Sequence, residues 1–174
     1  MTQEEAQLLI KKGIRPLEGN WADVGAGTGT FTKALLHLLR EGTVYAVDKN
    51  PHMLWGLRPS GSVSVEVVEA DFTRPFELPP LDGVVMANAL HYSQEPAEAV
   101  KHITANLKPG GAFILIEYET RTPRPPWVPY PLPFSMFREI ALECWLTEPE
   151  KLAELPSRYG HKHIYSALCF LRSG

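Results

Sequence analysis

The sequence predicts an α/β fold built on a mostly parallel sheet with helices on both faces. Three observations carry that expectation. Apolar runs alternate with stretches of helical periodicity from Trp21 to Tyr118. The runs "TVYAVD", "LDGVVMANAL" and "AFILIEYE" are short and largely apolar, as strands covered on both faces should be. The chain has 174 residues, 44% of them hydrophobic, enough for one domain that buries roughly 70% of its unfolded surface.

The elements follow in order. "QEEAQLLIKKGI" is a short amphipathic helix with Gly13 as its stop. "WADV" is a first strand. "TFTKALLHLLREG" is a helix whose leucines form a wide apolar face, and Gly42 follows its end. "TVYAVD" is the second strand. "NPHMLWGLR" begins a second helix after it, with Asn50 as N-cap and Pro51 at the first helical position. "SVSVEVVEAD", "LDGVVMANAL" and "AFILIEYE" are the next three strands; between the last two lies a helix, "EPAEAVKHITANLKPGG", closed by Lys-Pro-Gly-Gly. The character then changes. Prolines 123, 125, 126, 129, 131 and 133 forbid a ladder and mark a loop or polyproline stretch. "SMFREIALECWL" is a helix, and the end reads as two strands around a turn at Pro156–Gly160. No internal repeat or second domain is visible.

Composition narrows the function classes. A formal charge of −3 argues against non-specific nucleic-acid binding. Cys144 and Cys169 lie outside any metal-ligand spacing and read as reduced, buried side chains; no metal is expected. "MTQEEAQLLIKK" opens acidic and polar, with no apolar leader core, and no apolar run is long enough to span a bilayer, so a cytoplasmic domain is expected.

The stretch "DVGAGTGTF" places glycines 25, 27 and 29 between a strand and a helix, where backbone N–H groups make a generic anion site. Spacing discriminates among ligands. A dinucleotide fingerprint needs a small third residue where Thr30 stands, and the glycine–lysine pair of a nucleotide-triphosphate loop is missing. A tight turn without a ligand remains open for the loop alone. Asp48 ends the second strand about 20 residues on, where a carboxylate can accept ribose hydroxyls. Asp71 ends the third strand, suited to an adenine amino group with Phe72 beside the ring; a plain turn role stays open for it.

"WADVGAGTGTF", "VYAVDKN", "VEADF", "LDGVVMANALHY" and "LKPGGAFILIEY" together resemble the successive motifs of class I S-adenosylmethionine-dependent methyltransferases, over roughly residues 20–118. The resemblance implies a Rossmann-like, doubly wound, seven-stranded sheet with an antiparallel last strand, in a three-layer sandwich. It implies one domain over residues 1–174: a lead-in helix (1–19), a cofactor-binding core (20–118), a Pro-rich acceptor loop (119–134), and a closing helix and hairpin (135–174). S-adenosylmethionine is the implied cofactor. Gly25, Gly27 and Gly29 would approach its methionyl end and Asp23 its ammonium. Asp48 would hold the ribose, with Lys49 and Met53 near, and Asp71 and Phe72 would frame the adenine. Asn88 would lie near the sulfonium and the transferred methyl.

Methyl transfer is an in-line displacement, and orientation alone lowers such barriers by about 7–11 kcal/mol. A general base is therefore optional. His91 is the local acid/base candidate, with a loop histidine touching only cofactor or water as the alternative. "NALHY" lacks the prolines of nucleic-acid amino-methylating enzymes. Tyr92, Tyr118, Trp127 and Tyr130 are candidate acceptor-pocket residues, with packing roles open for each; Glu117 ends the fifth strand beside Tyr118. Arg121 and Arg124 would meet an acidic acceptor or remain solvated. The expected acceptor is a small molecule, without nucleic acid or membrane, acted on by a monomer or homodimer. The alternatives are a non-catalytic cofactor-binding accessory module, an enzyme acting on RNA or protein, and an NAD-binding domain.

Overall fold

The computed structural model describes residues 1–157 and 163–174. Seven strands form one sheet: β1 (Glu18–Val24), β2 (Glu41–Asp48), β3 (Ser62–Glu69), β4 (Leu81–Ala87), β5 (Leu107–Tyr118), β6 (Glu150–Pro156) and β7 (His163–Phe170). Their order is β3-β2-β1-β4-β5-β7-β6. The first five run parallel, and β7 pairs antiparallel with both β5 and β6. This is the doubly wound sheet with a reversed last strand that the motifs implied. The turn expected at Pro156–Gly160 falls, beyond Ser157, outside the described residues.

Helices α1 (Gln3–Ile10) and α2 (Thr30–Leu38) cover one face of the sheet, and α3 (Pro96–Thr104) and α4 (Phe134–Glu143) the other. The strand pleat sorts the side chains: Trp21, Val44, Val85 and Ile114 pack under α1 and α2, while Ala22, Val84, Phe113 and Leu115 pack under α3 and α4. Helix α1 starts on a reciprocal cap, in which Thr2 accepts from Glu5 N–H and the Glu5 carboxylate accepts from Thr2 N–H.

Three local expectations need correction. After β2 the chain forms only a 3₁₀ turn at Pro51–Met53, and the Asn50 side chain makes no cap bond. Instead Asn50 donates its backbone N–H to Asp48, which ties the turn to the strand end before a longer helix can start. The Lys108–Gly111 stretch does not close α3. It lies within β5, with Gly110 N–H donating to Leu171 O and Leu171 N–H to Gly111 O. Gly42 likewise lies inside β2, opposite Gly19 of β1, at a φ of +123°. A Cβ there would strike the Gly19 backbone, so the glycine allows two strands to close on each other rather than ending a helix.

Both cysteines are free and buried. Cys144 donates to Ala97 O, and burial pushes its thiol up to about 11.

The winding reverses between β1 and β4. The carboxyl ends of those two strands therefore diverge into a crevice, the place where open α/β sheets take ligands.

Candidate active site

The glycine loop fills one side of that crevice. Gly25 and Ala26 donate their N–H groups to Val47 O, and Gly27 donates to the Asp48 carboxylate at 2.8 Å. Asp48 uses its other oxygen for Asn50 N–H, also at 2.8 Å. Each carboxylate oxygen keeps a further acceptor site, so two ribose hydroxyls can still be received. Gly29 sits at a φ of +76° as the N-cap of α2. A Cβ on Gly27 would meet nothing nearer than Gly25 O at 4.0 Å, so that side of the loop is open. A Cβ on Gly25 would meet the Ala89 Cβ at 2.5 Å, with the Phe72 ring at 3.6 Å. The β4 exit and the Phe72 ring thus press directly on the loop.

Asp23 is 1% exposed and accepts a hydrogen bond from Thr32 Oγ1 at 2.7 Å. Burial raises its pKa from 3.8 to about 6 against that hydrogen bond, and the Asp48 charge adds to the rise. A buried carboxylate held this high fits an incoming ammonium. Asp71 accepts from Thr73 N–H and Thr73 Oγ1, and those bonds hold its carboxyl below the usual range. It therefore has the turn role as well as its place beside Phe72. Lys49 and Met53 are exposed outside the loop.

Asn88 follows β4 with a left-handed φ of +50°, donates its N–H to Ile116 O, and has a buried Oδ1 with no partner among the described residues. The Asn88–Ala89 step is the wall between the glycine loop and a second space. That space is a cavity of about 630 Å³ lined by Asn88, His91, Tyr92, Tyr118, Arg124, Pro125, Trp127 and Val128. Its size is ordinary for a small-molecule site. A smaller cavity of about 190 Å³ lies on the other side of Asn88 and Tyr118, against Met1 and Glu5.

His91, on a 3₁₀ turn at Leu90–Tyr92, is 1% exposed. Its Nδ1 lies 2.7 Å from Oε2 of Glu117, which is fully buried; the other oxygen of Glu117 accepts the His91 backbone N–H at 3.2 Å. The remaining ring nitrogen, Nε2, is buried without a partner among the described residues. Burial, and then the charge of Glu117, keep the Tyr92 phenol above its ordinary range, so Tyr92 is a hydrogen-bond donor here. Trp127 borders the cavity but is 72% exposed, at the tip of a loop closed by paired backbone bonds between Arg124 and Val128. Tyr130 lines a different groove with Arg121, Leu132 and Met136; its N–H donates to His91 O.

A family model described as a methyltransferase domain matches residues 22–115, the stretch that builds the loop, the crevice and most of β5. The chain belongs to the methyltransferase domain family. The domain is 36% identical over 106 residues to an uncharacterized methyltransferase of Mycobacterium tuberculosis, covering 61% of this chain and 42% of that protein. It is 33% identical over 118 residues to a demethylmenaquinone methyltransferase of Clavibacter sepedonicus, covering 66% and 47%. The chain thus spans about half the length of the curated relatives it matches. The solved 1,6-didemethyltoxoflavin-N1-methyltransferase of Burkholderia thailandensis shares the fold of the methyltransferase domain with a TM-score of 0.75 at 21% identity, covering 98% of this chain and 78% of that one. That structure holds 1,6-didemethyltoxoflavin and S-adenosylhomocysteine. The cofactor of this family is S-adenosylmethionine. The open face at Gly27 and the buried Asp23 carboxyl beneath the loop fit a ligand of that kind.

Two contacts lay beyond the sequence. Thr32 as the partner of Asp23 is one helical turn past the loop. The pairing of Glu117 with His91 joins residues 26 positions apart. Its only trace in the chain is a lone acid in the apolar run "AFILIEY".

Proposed function

We propose that this domain transfers a methyl group from S-adenosylmethionine to a small planar acceptor in the cavity bounded by Asn88, His91, Tyr118 and Trp127. The observation that carries the reading is the shared wall. The Asn88–Ala89 step touches the glycine loop on one side and borders the cavity on the other. A methyl donor on the loop and an acceptor in the cavity would meet across it.

In this reading Gly25, Gly27 and Gly29 admit the methionyl end and Asp23 receives its ammonium. Asp48 takes the ribose, and Asp71 with Phe72 frames the adenine. S-adenosylmethionine supplies an electrophilic methyl group on a sulfonium. The chain's own residues supply position: Tyr92, Tyr118 and Trp127 sandwich a flat ring, and the apolar lining excludes water. The relative from Clavibacter, named for demethylmenaquinone, supports a planar acceptor. The modest cavity and the mild acidity of the chain favour a small molecule over RNA.

Calorimetric titration with S-adenosylmethionine tests the first half. Heat at sub-millimolar concentration that is lost in Asp48→Ala is expected; no heat and no competition by S-adenosylhomocysteine sinks the reading. Radiolabelled methyl transfer over quinols, phenols, heteroaromatic amines, RNA and protein tests the second half. Binding without transfer to any of them would make the domain an accessory module.

A further inference from the structure

We infer that Glu117 is a positioning residue that fixes the proton on His91 Nδ1, leaves Nε2 as a proton acceptor at the cavity, and so restricts the acceptor to a phenol or enol. The inference rests on the small-molecule methyl-transfer reading above.

Three observations lead to it. First, the Glu117 oxygens accept two backbone N–H groups, His91 N–H at 3.2 Å and Tyr118 N–H at 3.4 Å, and Oε2 lies 2.7 Å from His91 Nδ1. Two backbone N–H groups aimed at these oxygens favour a carboxylate that accepts from the ring over a carboxylic acid that donates to it, which places the hydrogen on Nδ1. Second, Nε2 is then the unprotonated nitrogen, and among the described residues it is buried without a partner, beside a cavity that His91 lines. Asn88 Oδ1 on the same cavity is a second unpartnered acceptor. A ligand that satisfies both must bring hydrogens of its own. Third, among the described residues the cavity is lined by the guanidinium of Arg124 and by aromatic walls. A guanidinium there opposes a protonated amine and suits an acceptor that becomes an anion. An acceptor that is planar, protic and anionic after deprotonation is a phenol or an enol.

The step balances without an added reagent. The acceptor O–H gives its proton to Nε2, and the electron pair left behind, on oxygen or on the conjugated carbon, forms the bond to the methyl carbon. The carbon–sulfur bond breaks with its pair on sulfur. The imidazolium that results lies against Glu117 and returns the proton to water. Besides Glu117, the titratable and charged groups around His91 are Tyr92 on its own turn, Tyr118 on β5 and Arg124 in the Pro-rich segment, with Tyr165 of β7 opposite Glu117.

The first test reads the ring itself. Two-bond ¹H–¹⁵N spectra of the ligand-free protein at mildly alkaline pH, with His91 assigned through His91→Asn, should show the Nδ1–H tautomer; a proton on Nε2 overturns the inference. The second test is kinetic. With phenolic and 1,3-dicarbonyl acceptors, Glu117→Gln should lower kcat at least about tenfold while KM stays within about threefold, and its low-pH limb should move to lower pH. Glu117→Asp should recover part of the loss. Electron-poor phenols already ionised in the assay should be nearly insensitive to either change. An unchanged profile in Glu117→Gln, or a wild type that methylates thiols or amines but no phenol or enol, overturns the inference while the methyltransferase reading stands. Absence of cofactor binding overturns that reading instead, and the ring spectrum still decides the tautomer.

Discussion

At the scale of single residues, the site combines close approach with two buried carboxyl groups, Asp23 and Glu117. Gly25 and Gly27 differ in what surrounds them, and that difference is testable. Gly25→Ala places a Cβ 2.5 Å from Ala89, so unfolding in urea should show a loss of about 1–3 kcal/mol along with lost cofactor binding. Gly27→Ala meets no atom closer than 4.0 Å; its cost should be only the left-handed strain of about 1–2 kcal/mol, while cofactor affinity falls sharply because the Cβ enters the open face. Asp23 makes a prediction about pH. Its folded pKa of about 6 lies above its ordinary 3.8, so the folded state binds more protons than the unfolded between those values. The Asp23 contribution to stability is therefore greatest at low pH and is lost as pH rises through about 6. Asp23→Asn should stabilise the ligand-free protein at neutral pH by on the order of 2–3 kcal/mol, measured by urea unfolding. That advantage over the wild type should vanish as pH falls to about 4. Asp48, Asp71 and the loop glycines were readable because each lies at or just past the carboxyl end of a strand, in a recognisable order. Glu117 was readable only as a strand-end acid, because its partner is set by how β5 aligns with the β4 exit.

At the scale of elements, the Pro-rich segment is an arm fixed at its base and open at its tip. Val128 is buried and Arg124 is bonded across to it, whereas Trp127 projects into solvent. Trp127→Ala should leave the thermal midpoint nearly unchanged, since exposed substitutions usually fall within about 0.5 kcal/mol. The acceptor KM should rise roughly 10–100-fold, corresponding to about 1.5–3 kcal/mol of apolar contact made only when the acceptor is bound. Gly83 in the middle of β4 belongs to the other kind of element. A Cβ there would strike the buried Trp21 ring, so Gly83→Ala should lower the urea midpoint with no direct effect on the site. Periodicity located every strand, but not how far each extends. Lys108–Gly111 has the composition of a helix end, yet pairing with Leu171, just past the end of the neighbouring strand β7, draws it into β5. That partner lies about 60 residues downstream, where no local signal reaches.

At the scale of the whole molecule, binding and folding are coupled through the crevice between β1 and β4. Saturating the loop with S-adenosylhomocysteine at 100 times its Kd should add about 2.7 kcal/mol of stability. For a chain of this size that is a rise of roughly 5–10 °C in a thermal-shift assay. Asp48→Ala should show no such rise at the same concentration. The architecture also separates two tasks along the chain. The groups assigned to the cofactor, Asp23 to Phe72, come from the first half of the sheet, Asn88 stands where the two tasks meet, and the acceptor walls come from His91 to Val128. The division is incomplete, because Tyr130 N–H is bonded to the backbone of His91. A recombination experiment that swaps the Pro-rich arm for one from a relative would thus displace the proton acceptor along with the wall. Diversification of this scaffold toward new acceptors should then proceed by exchanging arm and histidine turn as one heritable block, with the donor half left untouched.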